Sequence, residues 1–188
     1  FIVMIVILLF VQAYCDLSLP SYTSDIVDVG IQQGGIENAV PLQIRKQTLQ
    51  EIELFLTEEQ KELVEQCYQE QEELWVLQNI EESKKEELNH IFAKPMNVLL
   101  SAKNIDAIRA LPTKERNQKV QELLKPLDMQ PDSVIEQSAV LFLKQEYAAQ
   151  GMNLAAMQIQ YIIKAGFKMI LFALLIMGAA VSVTFLSC

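Results

Sequence analysis

Three carboxylates near the start of the chain have the residue type and the spacing that could do chemistry. Asp16 follows an uncharged run, residues 1–15, and Asp25 and Asp28 come nine and twelve residues later. A charge within an apolar helix is costly unless it faces a protein interior or a water-filled cavity. A spacing of three places Asp25 and Asp28 on one helix face. Two interpretations of these acids are open: they line the outer mouth of a translocation path, or they lie among lipid head groups. The pattern favours the head groups for Asp25 and Asp28 and leaves Asp16 open.

Other motifs predict no catalytic, cofactor-binding or metal site within this sequence. The stretch GIQQGG, Gly30 to Gly35, lacks the Lys-Ser/Thr of a phosphate loop and is typical of a flexible exit from a helix. His90 is the single histidine, and the three cysteines show no metal-binding spacing. Paired glutamates such as Glu58 and Glu59 lie in charged helical patterns, which favours a solvated face.

The distribution of charge separates two apolar ends from a polar middle. Residues 31–168 hold all 15 Lys and Arg and 21 of the 24 Asp and Glu, which is a net charge of −6. An acidic segment of this kind argues against nucleic acid and against anionic lipid head groups as partners.

Both apolar ends predict membrane helices. Residues 1–15 are uncharged, and the helix is expected to continue to residue 30, with a kink at Pro20 and an end at Gly30. Met169 to Leu186 is an uncharged run of 18 residues, close to the length of a membrane span. We expect a second helix from Asn153 past Cys188, with its first turns outside the membrane, and we interpret the chain as a fragment cut within both helices.

The polar middle predicts helices separated by Pro, Gly and capping residues, with no strand alternation. Helices are expected over Ile44 to Leu56, Thr57 to Leu77, and from Ser83 until Pro95 interrupts. Further helices are expected from Lys103, Thr113, and Asp132 or Ser133, the last closing at Gly151. Trp75 and Phe92 are candidate core anchors.

These patterns predict an all-α fold in three parts. Residues 1–30 form the first transmembrane helix and its outer extension, residues 31–152 a helical extracytoplasmic insert, and residues 153–188 the second transmembrane helix with its outer extension. A cleaved lipoprotein is the remaining interpretation of the first segment, with Cys15 as the lipidated residue. Tyr14 stands before Cys15, where small residues are usual, and no basic segment precedes it.

The two ends resemble bacterial ABC exporters, in which a membrane-spanning half is fused to an ATP-binding domain. The matching residues are Leu19, Pro20, Asp25, Ile26, Val27, Asp28 and Gly30. GIQQGGIENAVP and IEQSAVLFLKQEYAAQGMN resemble a subgroup, mostly from Firmicutes-type bacteria, with a large extracytoplasmic insert between the first two membrane helices. The resemblance covers about residues 8–41 and 133–188, and residues 42–132 are weakly matched.

The resemblance implies a multi-pass protein of the bacterial cell membrane that works as a homodimer or heterodimer with twelve membrane helices. ATP and Mg would bind outside this chain, so the chain itself holds no cofactor. The implied partners are the lipid bilayer, a second exporter half and an exported drug, lipid or peptide. Asp16, Pro20, Asp25 and Asp28 would belong to the pathway or its outer gate. The alternative is a two-span membrane anchor whose helical domain is a binding module without an ATPase.

Overall fold

Two compact units make up the structure, a computed structural model that describes residues 2–101 and 105–187. The first combines residues 2–36 with residues 154–187, and we call it the hairpin unit. The second is the continuous segment 37–153, and we call it the inserted unit. The predicted all-α class is confirmed, because helices dominate the described residues and strands are few.

The hairpin unit consists of two long apolar helices. Helix α1, Ile2–Asp25, continues directly into a π-helical segment, Ile26–Gln32, and helix α8 covers Leu154–Ser187. Both are long and apolar enough to cross a membrane. Most of their large apolar side chains are exposed, for example Phe10 and Phe167, while Cys15, Ala165 and Ala179 are buried. Small residues at such positions let two helices approach closely.

The inserted unit contains six further α-helices and three strands among its described residues. The helices are α2, Lys46–Glu53; α3, Glu58–Cys67; α4, Glu82–Ser101; α5, Ile105–Arg109; α6, Thr113–Leu124; and α7, Asp132–Ala149. A 3-10 helix, Lys125–Met129, follows α6. The antiparallel sheet has the order β1-β3-β2, with β1 at Gln43–Arg45, β2 at Tyr68–Gln71 and β3 at Leu74–Leu77.

Helices α4 and α7 form the centre of the inserted unit. Leu88, Phe92 and Met96 on α4 are buried, as are Leu143 and Tyr147 on α7. Their spacing of four residues places each set on one helix face, which explains why these helices pack together. The predicted core position of Phe92 is confirmed.

The region between Thr57 and Leu77 departs most clearly from the sequence prediction. The predicted capping box is present, since the Thr57 hydroxyl accepts from the Gln60 amide and the Gln60 side chain accepts from the Thr57 amide. The predicted helix is nevertheless wrong beyond Cys67, because residues 68–77 form the β2–β3 hairpin. Trp75 lies in β3 opposite Ile44 of β1 and is half-buried, not fully enclosed.

Two predicted helix breaks are also wrong. Pro95 lies inside α4 and is buried, so the helix continues through it. Gly30 does not end the first helix, because the π-helical segment runs on to Gln32. The helix expected from Lys103 is found as α5 from Ile105, and its first two predicted residues lie outside the described part of the chain.

Candidate functional site

The contacts between α1 and α8 show that the two helices run antiparallel. The ring centroids of Tyr22 and Phe172 lie 5.2 Å apart. In the π-helical segment that follows α1, a Cβ built on Gly30 would lie 3.0 Å from Cγ1 of Ile162, which comes earlier on α8. Residue numbers therefore rise along one helix as they fall along the other, as in a helical hairpin.

Gly35 is fixed by both its conformation and its surroundings. It has φ +84°, and a Cβ on it would lie 2.8 Å from the backbone oxygen of Met157. Its amide donates to the carbonyl of Val29 over 2.8 Å. Glycine is the residue that adopts a left-handed conformation and a close backbone approach without strain. The double glycine that the sequence suggested as a flexible exit is thus, at Gly35, a tightly packed turn.

Asp16 and Pro20 lie on the exposed surface of α1 within the hairpin unit. Proline has no amide hydrogen, so the carbonyl of Asp16, four residues earlier, receives no helical hydrogen bond from it. Asp16 therefore combines an exposed carboxylate with a backbone acceptor that this proline leaves free. Such a pair requires water or a donor from another group when it is placed in an apolar phase.

Asp28 belongs to a short polar network along the π-helical segment. Its carboxylate accepts from the Ser24 hydroxyl at 2.8 Å and from the Gln32 side-chain amide at 3.2 Å. Asp25 is half-buried and makes no hydrogen bond to this network. The segment is π-helical here, and the amide of Gln33 donates to the carbonyl of Asp28. The prediction that Asp25 and Asp28 share one helix face assumed regular α-helical spacing, which this turn does not have.

The four candidate residues lie along α1 and the π-helical segment after it and do not form a catalytic cluster. Among the described residues no group of three or more His, Cys, Asp or Glu is placed to hold a metal ion. The acids can accept hydrogen bonds and attract cations, and Asp28 already does the former. Their chemistry fits a polar lining more closely than acid–base catalysis.

A second polar centre, in the inserted unit, was missed by the sequence analysis. Glu146 on α7 is 3% exposed, and its carboxylate accepts hydrogen bonds from the backbone amide and guanidinium of Arg45. Thr48 and Gln150 also donate to it, at 3.0 and 2.9 Å. Burial by itself raises the pKa of Glu146, but these hydrogen bonds outweigh burial and hold the pKa below its ordinary value.

Two tyrosine hydroxyls fasten the strand region close to this carboxylate. The Tyr147 hydroxyl accepts from the Leu42 amide at 2.7 Å, and the Tyr68 hydroxyl donates to the Pro41 carbonyl at 2.8 Å. Burial raises the pKa of Tyr147 to about 12 and that of Tyr68 well above its ordinary value. Both hydroxyls therefore stay protonated at physiological pH, and their bonds do not titrate there.

Asn89 makes a third connection between the start and the end of the inserted unit. Its side-chain oxygen accepts from the Ala39 amide at 2.8 Å, and its side-chain nitrogen donates to Glu136 at 2.6 Å. Together with Glu146 and Tyr147, it joins residues 39–48 to residues 136–150. We call this set of bonds the terminal clamp.

The sequence carried a signal for part of the terminal clamp. Glu146 follows Leu143 by three residues and precedes Tyr147, so its position falls on the apolar face of α7. A carboxylate at such a position needs charged or hydrogen-bonding partners. The partner Arg45 could not be identified in this way, because it lies 101 residues away in the chain.

Comparisons with known proteins leave the chain without an assigned family: no protein-family model, no curated protein and no solved structure matches it.

Proposed function

We propose that the chain is part of the membrane domain of an ATP-driven ABC exporter, with the inserted unit on the extracytoplasmic side. The observation that carries the proposal is the antiparallel hairpin of two apolar helices, between which the sequence inserts a polar unit with its own core. The resemblance at Leu19, Pro20 and Asp25 to Gly30 supplies the choice of family. The substrate class is a drug, a lipid or a peptide.

Exposure of the hairpin unit supports a membrane location with further helices around it. Phe185 is 85% exposed and Leu17 is 80% exposed, and apolar side chains surround both helices. Lipid or neighbouring membrane helices would cover such surfaces. In an exporter these neighbours include the other helices of the same half and the second half of the dimer, homodimeric or heterodimeric.

In this proposal the candidate residues line the outer part of the export pathway. The exposed carboxylate of Asp16 and the Asp28 network would face water or other helices, because exposure to lipid tails is too costly. Pro20 and the π-helical segment would give that part of the helix its irregular path. ATP and Mg would act at a domain elsewhere in the protein, and this chain would transmit its movement without catalysing a reaction.

The first test is to read the gene beyond Cys188. We expect four more apolar spans followed by the G-x-x-x-x-G-K-[ST] sequence of a phosphate loop. A frame that stops within a few residues of Cys188 overturns the exporter proposal. The chain would then be a two-span anchor, and the inserted unit would work as a binding module without an ATPase.

The second test concerns the side of the membrane. A cysteine introduced at Met129, which is 91% exposed, is expected to react with a membrane-impermeant maleimide in intact bacterial cells, in a background without the native cysteines. Labelling only after the cells are opened would place the inserted unit in the cytoplasm and contradict the proposal. A cysteine at Val140, which is buried, serves as the unreactive control.

A further inference from the structure

An open cleft of about 490 Å³ lies in the inserted unit between the α2–α3 connection and helix α6. Phe55 and Val120 are among its lining residues and are 6% and 5% exposed. Its volume falls within the range of about 300–1,000 Å³ that is typical of small-ligand sites. The cleft thus has the size that a small ligand requires, and part of its lining is apolar.

Two side chains of opposite charge line the cleft without an ion pair among the described residues. Glu53 comes from the end of α2 and Arg116 from α6, and both are half-buried. Neither forms an ion pair or a side-chain hydrogen bond with any residue that the structure describes. The other two charges of the lining, Glu58 and Lys61, pair with each other at 2.7 Å. One negative and one positive group therefore remain for a ligand.

The burial of Glu53 makes an incoming cation favourable. Burial raises the pKa of its carboxyl, and the nearby Lys61 offsets this only in part. A buried carboxylate is stabilised when an opposite charge approaches it. Arg116 offers a planar group whose donors match a carboxylate in two parallel hydrogen bonds.

The uncharged polar groups of the lining suit a peptide backbone. Gln50, Asn117 and Gln121 carry side-chain amides, each of which both donates and accepts hydrogen bonds. A peptide amide offers the same combination of donor and acceptor. Fatty acids and polyamines carry charges of one sign only and would leave either Glu53 or Arg116 unmatched.

We propose that this cleft binds a short peptide with free ends. Its terminal ammonium group lies beside Glu53, its terminal carboxylate lies beside Arg116, and an apolar side chain rests on Phe55 and Val120. This site goes beyond the proposed export function, since it requires neither ATP nor the hairpin unit to act in transport. Its failure would leave the exporter proposal untouched.

The test is calorimetric titration of the full chain in detergent micelles with the tripeptide Ala-Leu-Ala. We expect saturable binding at one site per chain. Acetylation of the amino end or amidation of the carboxyl end removes one charge-assisted contact, so each is expected to weaken binding about tenfold or more. The blocked peptides share the apolar side chain, which makes them controls for partition into micelles.

Two variants test which end of the peptide lies beside Glu53 and which lies beside Arg116. In Glu53→Gln, acetylation is expected to cost nothing further while amidation still weakens binding, and Arg116→Gln is expected to show the reverse. Glu59→Gln and Lys114→Gln, which change exposed charges outside the cleft, are expected to bind as the unaltered chain does. The emission of Trp75 verifies that each variant is folded.

Three results would overturn the proposal. The first is the absence of saturable binding of Ala-Leu-Ala up to millimolar concentration. The second is equal affinity for the free and the blocked peptides. The third is an unchanged dependence on blocking in both Glu53→Gln and Arg116→Gln, which would place the binding site elsewhere.

Discussion

Glu146 is the single side chain with the most hydrogen bonds in the terminal clamp. It receives five of them from Arg45, Thr48 and Gln150. Its carboxylate is 2% exposed, whereas the side chain of Arg45 is 46% exposed. Solvent therefore screens the charge of Arg45. The pair matters for stability mainly because it supplies hydrogen bonds to the buried Glu146 carboxylate.

Replacing Glu146 with Gln is expected to destabilise the inserted unit by about 2 kcal/mol, because charged hydrogen bonds are lost in a buried place. Thermal unfolding of the full chain in detergent, followed by the emission of Trp75, measures the change. Trp75 is the only tryptophan of the sequence and lies in β3, so it reports on the inserted unit. Glu122→Gln, which alters an exposed pair with Lys119, is the control and is expected to change stability by less than about 0.5 kcal/mol.

The same substitution predicts a dependence on pH. The folded pKa of Glu146 is lowered, so its contribution is fully present above the unfolded value of about 4.3 and is lost as the pH falls through the folded pKa. The unfolding midpoints of the unaltered chain and of Glu146→Gln should differ at pH 7 and converge as the pH falls below about 4.3. A constant difference across this range would show that Glu146 does not titrate with folding.

Glu72 gives a prediction of the opposite sign. It has φ 54° in the two-residue connection of the β2–β3 hairpin, a conformation that costs an ordinary side chain about 1–2 kcal/mol. Glu72→Gly relieves this strain and is expected to raise the Trp75 unfolding midpoint, by up to about 1 kcal/mol in stability. Gln71→Gly, in the adjacent strand, is the matched control and should lower it.

At the scale of elements, the β2–β3 hairpin shows why part of the fold could not be predicted. The sequence YQEQEELWVL is rich in Glu and Gln, which favour helices, and its turn carries Glu72 and Glu73 in place of Gly or Asn. Strand β3 is held on both sides, by β2 and by β1. Pairing with the distant β1 thus overrides local preference, and only long-range contacts contain that information.

Helices were predicted more accurately because their signals are local. The uncharged ends, the Thr57–Gln60 capping box and the apolar faces of α4 and α7 each lie within a few turns of chain. Pro95, which was expected to interrupt α4, instead lies buried within it. The candidate acids were located by their sequence, but the π-helical turn that separates Asp25 from the Asp28 network was not foreseeable from spacing.

Gly35→Ala is expected to loosen the helical hairpin, because the new Cβ meets the Met157 backbone and the left-handed conformation disfavours alanine. Cysteines placed at Tyr22 and Phe172, without the native cysteines, measure this through the rate at which they form a disulfide. We expect that rate to fall. Gly166→Ala, whose Cβ has nothing within 4 Å, is expected to leave it unchanged. Equal rates in both variants would contradict the role given to Gly35.

At the scale of the whole molecule, the inserted unit has what an independent domain needs. It possesses its own core, centred on Phe92 and Leu143, and the terminal clamp joins its two ends. We expect residues 37–153, expressed alone, to fold cooperatively in water with the Trp75 emission found in the full chain. Phe92→Ala should lower its stability by about 3–5 kcal/mol. A gradual transition without cooperativity would show that the unit depends on the hairpin helices.

The terminal clamp also has a consequence for how such a chain can evolve. Inserting a long segment between two helices costs conformational entropy, because the ends of the segment must be brought together. The terminal clamp holds the two ends of the inserted unit together, so for the helices on either side this unit acts like a short loop. Mutations in the interior of that segment can then accumulate, or the segment can be exchanged for another with paired ends, at little cost to the helices on either side. The clamp thus predicts that the two parts tolerate substitution almost independently of each other.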